Sequence, residues 1–313
     1  MSEMNRTLAF VFPGQGSQSL GMIQDLLDHE IVRKTFEEAD DALGFSLSEI
    51  IKSGDEATLA KTEITQPAIL TVSIALWRVW QSENGAEPAF LAGHSLGEYS
   101  ALVAAGVLAF KDAVKLVHDR GNFMQEAVPA GVGAMAAILG LDDEVVIAVC
   151  KESENAGVVA AVNFNSQGQV VIAGEKAAVE AACALAKERG ARRALLLSVS
   201  VPSHCILMKP AAERLAATLD DMLLSTPNHI VIHNVDVSAH VDVAEIKEAL
   251  VSQLYEPVRW TETIEKLARE GVTTVVECGP GKVLTGLIRR IDKSITSYNV
   301  FDGASLDSVI KEI

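Results

Sequence analysis

Gly93-His94-Ser95-Leu96-Gly97 sets a serine between two glycines, with the short apolar run Phe90-Leu91-Ala92 before it and an Ala-rich stretch, residues 96–105, after it. Read as strand, turn and helix, this is the context of a nucleophile elbow. The tight turn lifts the serine above the sheet, and the glycines let strand and helix approach closely. The serine then stands at a helix N-terminus, whose free N–H groups and dipole favour a developing oxyanion. A plainer reading of the same residues is a Gly-Ser loop whose serine caps the helix.

A serine of ordinary acidity needs a base. Seven histidines are available: His29, His94, His118, His204, His229, His233 and His240. His29 and His118 fall in helical patterns and read as surface or half-buried. His94 adjoins the serine but points away from it in an elbow, so a packing or hydrogen-bonding role is expected. His229, His233 and His240 surround a strand near Asp236 and read equally well as solvated or structural. His204, in Val201-Pro202-Ser203-His204, leads the candidates because it lies in a loop where the chain passes between two units.

One further side chain suggests binding. Arg120 sits in a helical pattern with Leu116, Val117, Phe123 and Met124 around it. A buried arginine needs a partner, and its planar fork matches a carboxylate. That partner is either a ligand or an acid of the chain itself, such as Asp119 or Glu126. Gly279-Pro280-Gly281-Lys282 has a superficial likeness to a phosphate cradle, but it lacks the G-x-x-x-x-G-K-[ST] spacing and reads as a tight strand-to-helix connection.

The elements that must hold these residues follow from periodicity. The continuous apolar run 8–12 reads as a buried parallel strand ending at Pro13-Gly14. Helices are expected around 22–27, at 31–43, from Thr65-Gln66-Pro67 through Trp80, and at 110–127. From residue 128 the pattern becomes strand 132–139, helix 142–153, strand 158–163, strand 169–173, helix 176–189 and strand 193–199. This β-α-β-β-α-β order is ferredoxin-like. Beyond residue 200, helices 209–224, 243–253 and 261–269 alternate with strands 230–234 and 273–277, and the last long helix spans 283–291. The expected fold class is therefore α/β, a large domain with a mostly parallel sheet (1–127 and 200–313) carrying an inserted ferredoxin-like small domain at 128–199. Trp77, Trp80 and Trp260 read as packing residues.

Composition narrows the function classes. The 313 residues carry 26 Lys and Arg against 42 Asp and Glu, a formal charge of −16 that repels nucleic acid and anionic membrane surfaces. Apolar stretches fall short of the ~20 residues of a membrane span, and no secretory leader is evident at the N-terminus. Four cysteines without CxxC spacing suit a reduced, cytoplasmic protein with no structural zinc.

Five motifs occur together in one order: Phe10-Val11-Phe12-Pro13-Gly14-Gln15-Gly16-Ser17-Gln18, Gly93-His94-Ser95-Leu96-Gly97, Arg120-Gly121-Asn122-Phe123-Met124-Gln125-Glu126-Ala127, Val201-Pro202-Ser203-His204 and Gln253-Leu254-Tyr255. Jointly they resemble the bacterial malonyl-CoA:acyl carrier protein transacylases of type II fatty acid synthesis, over essentially the whole chain. The resemblance implies an α/β-hydrolase-like large domain with the site in the cleft beside the small one. It implies Ser95 as the acylated nucleophile and His204 as its base, oriented by a backbone carbonyl near Gln253. The amides of Gln15 and Leu96 would form the oxyanion hole, although the Gln15 loop is also readable as a plain turn. Arg120 would take the malonyl carboxylate, with Met124 and Gln253 as further substrate-binding positions. Malonyl-CoA and holo-acyl carrier protein are the implied partners, with no metal, nucleotide or bound organic cofactor, and a monomer is the default. Carrier proteins of this kind are acidic, so local basic clusters must receive them. Lys187, Arg189, Arg192 and Arg193 form one candidate, and Lys282, Arg289, Arg290 and Lys293 another. A serine hydrolase with the same elbow, or an idle scaffold that only binds carrier protein, are the alternatives.

Overall fold

The computed structural model describes residues 4–199 and 201–313. Nine strands among those residues make two sheets: β1 (Asn5–Phe12), β2 (Pro88–Gly93), β3 (Gly133–Leu139), β4 (Val159–Ser166), β5 (Gln169–Glu175), β6 (Arg193–Leu196), β7 (Ile230–Ile232), β8 (Thr274–Cys278) and β9 (Thr296–Val300). The larger sheet runs β7-β2-β1-β8-β9, parallel throughout, and the smaller runs β4-β5-β3-β6, antiparallel.

β1 is central because both of its faces are apolar. Leu8, Phe10 and Phe12 enter one core with Trp77 and Trp80, whose rings meet Phe10 edge-on at 5.2 and 5.0 Å. Ala9 and Val11 enter a second core with Trp260 on the other side. Helices cover these faces: α1 (Glu30–Leu43), α2 (Leu47–Ser53), α3 (Glu56–Leu59), α4 (Thr62–Ser82), α5 (Gly97–Ala104) and α6 (Phe110–Ala127) precede the small sheet. After it come α9 (Lys209–Asp220), α10 (Val243–Ser252), α11 (Trp260–Arg269), α12 (Val283–Ile291) and α13 (Gly303–Glu312), while α7 (Asp143–Ser153) and α8 (Lys176–Glu188) belong with the small sheet. The order β3-α7-β4-β5-α8-β6 and the antiparallel pairing are those of a ferredoxin-like unit, so the fold is a large parallel α/β domain with a smaller one.

Some elements differ from the periodicity. Residues 22–27 form only a single tight turn, Gln24–Leu26, since Gly21 and Ile23 both adopt left-handed φ, 73° and 62°. α4 opens at Thr62 instead of Thr65, with Pro67 inside it. Proline has no N–H for the carbonyl four residues back, and the freed Glu63 carbonyl instead accepts from His118 Nδ1 at 2.7 Å. The strand expected over 193–199 closes at Leu196, and Ser200 lies outside the described residues. The helix expected over 209–224 ends at Asp220. β9 and α13 follow α12, where no further element was expected; Asp302 and Ser305 build a capping box at the start of α13.

The two sheets are tied together near the cleft. Val258 exchanges backbone bonds with β4, its N–H donating to Val162 O at 2.8 Å and its carbonyl accepting from Phe164 N at 3.0 Å. Thr261 Oγ1 donates to Phe164 O at 3.0 Å.

Candidate active site

In a parallel sheet the carboxyl ends of the strands open onto a crevice. Here the segments following β1, β2, β7 and β8 gather at that end, facing β3, β4 and β5 of the small sheet. The cleft between them encloses about 290 Å³ and is lined by Gln15, Ser95, Leu96, Arg120, Met124 and His204, with Asn163 and Val171 among the residues opposite.

The elbow depends on two close approaches. A Cβ at Gly93 would stand 1.9 Å from the Gly97 carbonyl carbon, and one at Gly97 would stand 2.0 Å from the Phe12 carbonyl oxygen. Only glycine lets β2, β1 and α5 converge so tightly. At the apex Ser95 holds a left-handed φ of 52°. Its amide donates to Asn234 Oδ1 at 2.8 Å, and Asn234 Nδ2 donates to the Gly93 carbonyl at 2.7 Å.

Ser95 Oγ lies 2.7 Å from His204 Nε2. The other ring nitrogen, Nδ1, lies 2.6 Å from the carbonyl oxygen of Gln253. A carbonyl only accepts, so Nδ1 carries the hydrogen and Nε2 presents its lone pair to the serine hydroxyl. Burial holds the imidazole down to about 3, and the Arg120 charge pushes the same way, against the Gln253 carbonyl. The resting histidine is neutral, as a base must be. Its own φ is also left-handed, 64°, and its amide donates to Leu254 O at 3.0 Å.

Arg120 is 1% exposed. Nη1 donates to Gln66 Oε1 at 2.8 Å and Nη2 to Gln253 Oε1 at 3.1 Å, while the guanidinium lies 5.3 Å from the Tyr99 ring centre. Its Nε–H has no acceptor among the described residues. Neither acid offered as an internal partner serves: Glu126 pairs with Arg214, and Asp119 lines a separate surface cleft. No carboxylate among the described residues forms an ion pair with Arg120. A buried cation held only by neutral amides is strongly disposed to receive an anion.

The remaining expected positions fall as follows. Gln15 is exposed on the cleft wall, and Leu96 opens α5 beside Ser95. Met124 lines the cleft, and its sulfur accepts from Gln66 Nε2 at 3.5 Å. Gln253 is fully buried behind His204 and Arg120 and does not line the cleft, so the chain brings it to the site as support for both. His94 Nε2 meets Asn165 Oδ1 at 2.7 Å and its ring packs on Trp260; burial keeps it below its ordinary range. Gln66, Asn234 and Glu98 were not singled out from sequence. Their side-chain partners are 54 to 155 residues away, so no local spacing marks them. Glu98 alone had a local signal, as the single charged residue in 96–105.

The chain is similar to known proteins over nearly its full length. The model of the acyl transferase domain matches residues 9–307. The malonyl CoA-acyl carrier protein transacylase of Haemophilus influenzae is 57% identical over 306 residues, covering 97% of this chain and 98% of that one. The protein of that name from Escherichia coli K12 is 56% identical over 304 residues, 97% and 98% of the two chains. Among solved structures, a malonyl-transacylase in complex with a type II PKS acyl-carrier protein superposes with a TM-score of 0.97 at 53% identity, covering 98% of this chain and 99% of that one. An acyl carrier protein S-malonyltransferase from Vibrio cholerae gives 0.95 at 56% identity, over 97% and 99%. On the match over residues 9–307 and the identity across nearly its full length, this chain belongs to the acyl transferase family, among the malonyl CoA-acyl carrier protein transacylases.

Proposed function

We propose that the protein transfers the malonyl group of malonyl-CoA to the phosphopantetheine thiol of holo-acyl carrier protein through a malonyl ester on Ser95, supplying fatty acid biosynthesis. The observation that carries this reading is the pairing of two features in one cleft. Ser95 Oγ and His204 Nε2 stand 2.7 Å apart, and a buried Arg120 without a carboxylate partner lines the same space.

The steps follow from the atoms. Ser95 Oγ attacks the thioester carbonyl while its proton passes to His204 Nε2. The C–S bond then breaks, and the departing CoA sulfur takes that proton. In the second half the carrier thiol gives its proton to His204 and attacks the ester, and Ser95 Oγ leaves with the proton. The Gln253 carbonyl holds the imidazole throughout and stabilises the imidazolium in place of a carboxylate. The amides of Gln15 and Leu96, which bond to no acceptor among the described residues, are the oxyanion donors in this reading. The malonyl carboxylate, set against Arg120, would offset the charge that depresses His204, so substrate makes its own base stronger. Acetyl groups supply no such anion.

Residues 128–199 act in this reading as the inserted small domain that closes one side of the cleft. Carrier protein would approach where the two basic clusters meet. Arg189 is tied to Glu152 and Arg289 to Ser297, but Arg192, Arg193 and Arg290 line one surface cavity together. We place the enzyme in the cytoplasm as a monomer, in keeping with four unpaired buried cysteines and a charge of −16.

Intact-protein mass spectrometry after brief mixing with malonyl-CoA tests the proposal. One malonyl gain on the wild type, absent from Ser95→Ala and with acetyl-CoA, and discharged by holo-carrier protein, is the expected result. Release of free malonate without carrier protein would instead mark a serine hydrolase.

A further inference from the structure

Beneath the cleft, and outside its lining, lies a carboxylate with no solvent exposure. Glu98, in the first turn of α5, accepts from three donors. Oε1 takes His233 Nδ1–H at 2.7 Å, and Oε2 takes the Asn234 amide at 3.0 Å and Gln253 Nε2 at 2.8 Å. His233, Asn234 and Gln253 are themselves fully buried, so each depends on this acceptor.

Two of these donors lead back to the reacting pair. Asn234 Oδ1 receives the Ser95 amide, and its Nδ2 holds the Gly93 carbonyl. Gln253 Nε2 also donates to the Ser95 carbonyl at 3.0 Å, while its main-chain oxygen fixes His204 Nδ1. The peptide groups on both sides of Ser95, and the acceptor that sets the His204 tautomer, are thus held by residues whose other contact ends on Glu98. A non-glycine residue at φ 52° keeps that conformation only when its surroundings over-determine it.

We propose that Glu98 is the positioning residue of the acyl-transfer site, a buried acceptor that fixes the nucleophile and its base in one frame without touching substrate. This rests on the reading of Ser95 as nucleophile and His204 as base. The role needs acceptor geometry more than charge. In Glu98→Gln the amide oxygen can replace Oε2 toward Asn234 and Gln253, and the amide nitrogen can donate to Nδ1 of the other His233 tautomer.

The test uses the full chain as wild type, Glu98→Gln, Glu98→Ala and Asn234→Ala. Each is checked by circular dichroism and assayed well below its melting temperature. Two rates are followed by intact mass: modification of Ser95 by a fluorophosphonate, which needs no malonyl recognition, and malonylation by malonyl-CoA. Glu98→Ala is expected to slow both at least tenfold, and Glu98→Gln to stay within fivefold of wild type. A purely structural role would lower melting and leave the fluorophosphonate rate of the folded protein unchanged. A loss below tenfold in folded Glu98→Ala, or a loss in Glu98→Gln equal to that in Glu98→Ala, overturns the proposal. If Glu98→Ala does not fold, Asn234→Ala decides on the same tenfold criterion. A wild type that takes the fluorophosphonate but never malonyl would defeat the functional reading while leaving this comparison intact.

Discussion

Ser95 and His204, whose side chains meet at 2.7 Å, are both held at left-handed φ, 52° and 64°. Each position costs an L-residue about 1 kcal/mol that glycine avoids. Ser95→Gly and Ser95→Ala should therefore be equally unreactive toward malonyl-CoA but differ in stability. The glycine variant is expected to be the more stable by about 1 kcal/mol, melting roughly 2 °C higher. Paired thermal scans decide it, and an alanine variant that melts as high would mean the elbow holds no strain.

Arg120→Ala removes the buried cation facing the cleft. Malonylation of Ser95 should fall about 10³-fold, in line with the ~4 kcal/mol typical of a broken buried charge pair. Acetyl transfer should stay within a few-fold of its wild-type value, because it never used the cation. Arg120→Lys should fall between the two, since a point charge cannot reproduce the fork. Single-turnover acylation with both thioesters reads this directly; equal losses for the two substrates would remove Arg120 as the selector.

The depressed imidazole of His204 predicts a stability change with pH. Between about 3 and the ordinary 6.5, the unfolded chain protonates this histidine and the folded chain does not. The unfolded state binds more protons there, so stability falls as pH drops below 6.5. From pH 7.5 to 5.0, wild type should lose about 2 kcal/mol relative to His204→Gln. Denaturant titrations at the two values measure it. A parallel decline in both proteins would place the proton uptake elsewhere.

Arg192→Glu with Arg290→Glu reverses charge where the two basic clusters converge. Discharge of malonyl-Ser95 by holo-carrier protein should weaken at least tenfold in kcat/KM, while discharge by free pantetheine stays unchanged. Raising the ionic strength should reduce the wild-type advantage. Insensitivity of carrier protein discharge to the charge reversal would move the docking surface away from this cavity.

What was readable in the sequence was what short spacing encodes. The two glycines around Ser95 mark a turn by their spacing, and no Cβ fits at either place, at Gly93 because of Gly97 and at Gly97 because of the distant Phe12 carbonyl. Alternation of apolar residues from β3 to β6 was enough to order the small unit. Loop position put His204 first among the histidines and an apolar helical setting marked Arg120, but the motifs read together gave them their roles, since nothing near Val201-Pro202-Ser203 states that Ser95 will meet it from 109 residues away. Asn234 and Gln66 were passed over for the same reason, as polar residues whose value appears only after folding, whereas Glu98 was marked only by being the single charge in 96–105. Pro67 misled the other way. It looked like a helix start, yet the distant His118 satisfies the carbonyl it strands. The tail was missed despite a visible signal, the Asp302 and Ser305 spacing of a helix cap.

The strand order of the larger sheet carries a consequence for biogenesis. β1 leaves the ribosome before the other eight strands described, yet it is flanked by β2 and by β8, whose residues lie beyond 270. The larger sheet therefore cannot finish until β8 and β9 have been made. The strands β3 to β6 form a sheet of their own, to which Val258 adds only a bridge at β4, and that sheet can close while synthesis continues. A nascent chain halted before β8 should already protect the amides of β3 and β5 from exchange while those of β1 remain open. The smaller sheet, though later in sequence, would then serve during translation as the first folded body against which the older half is assembled.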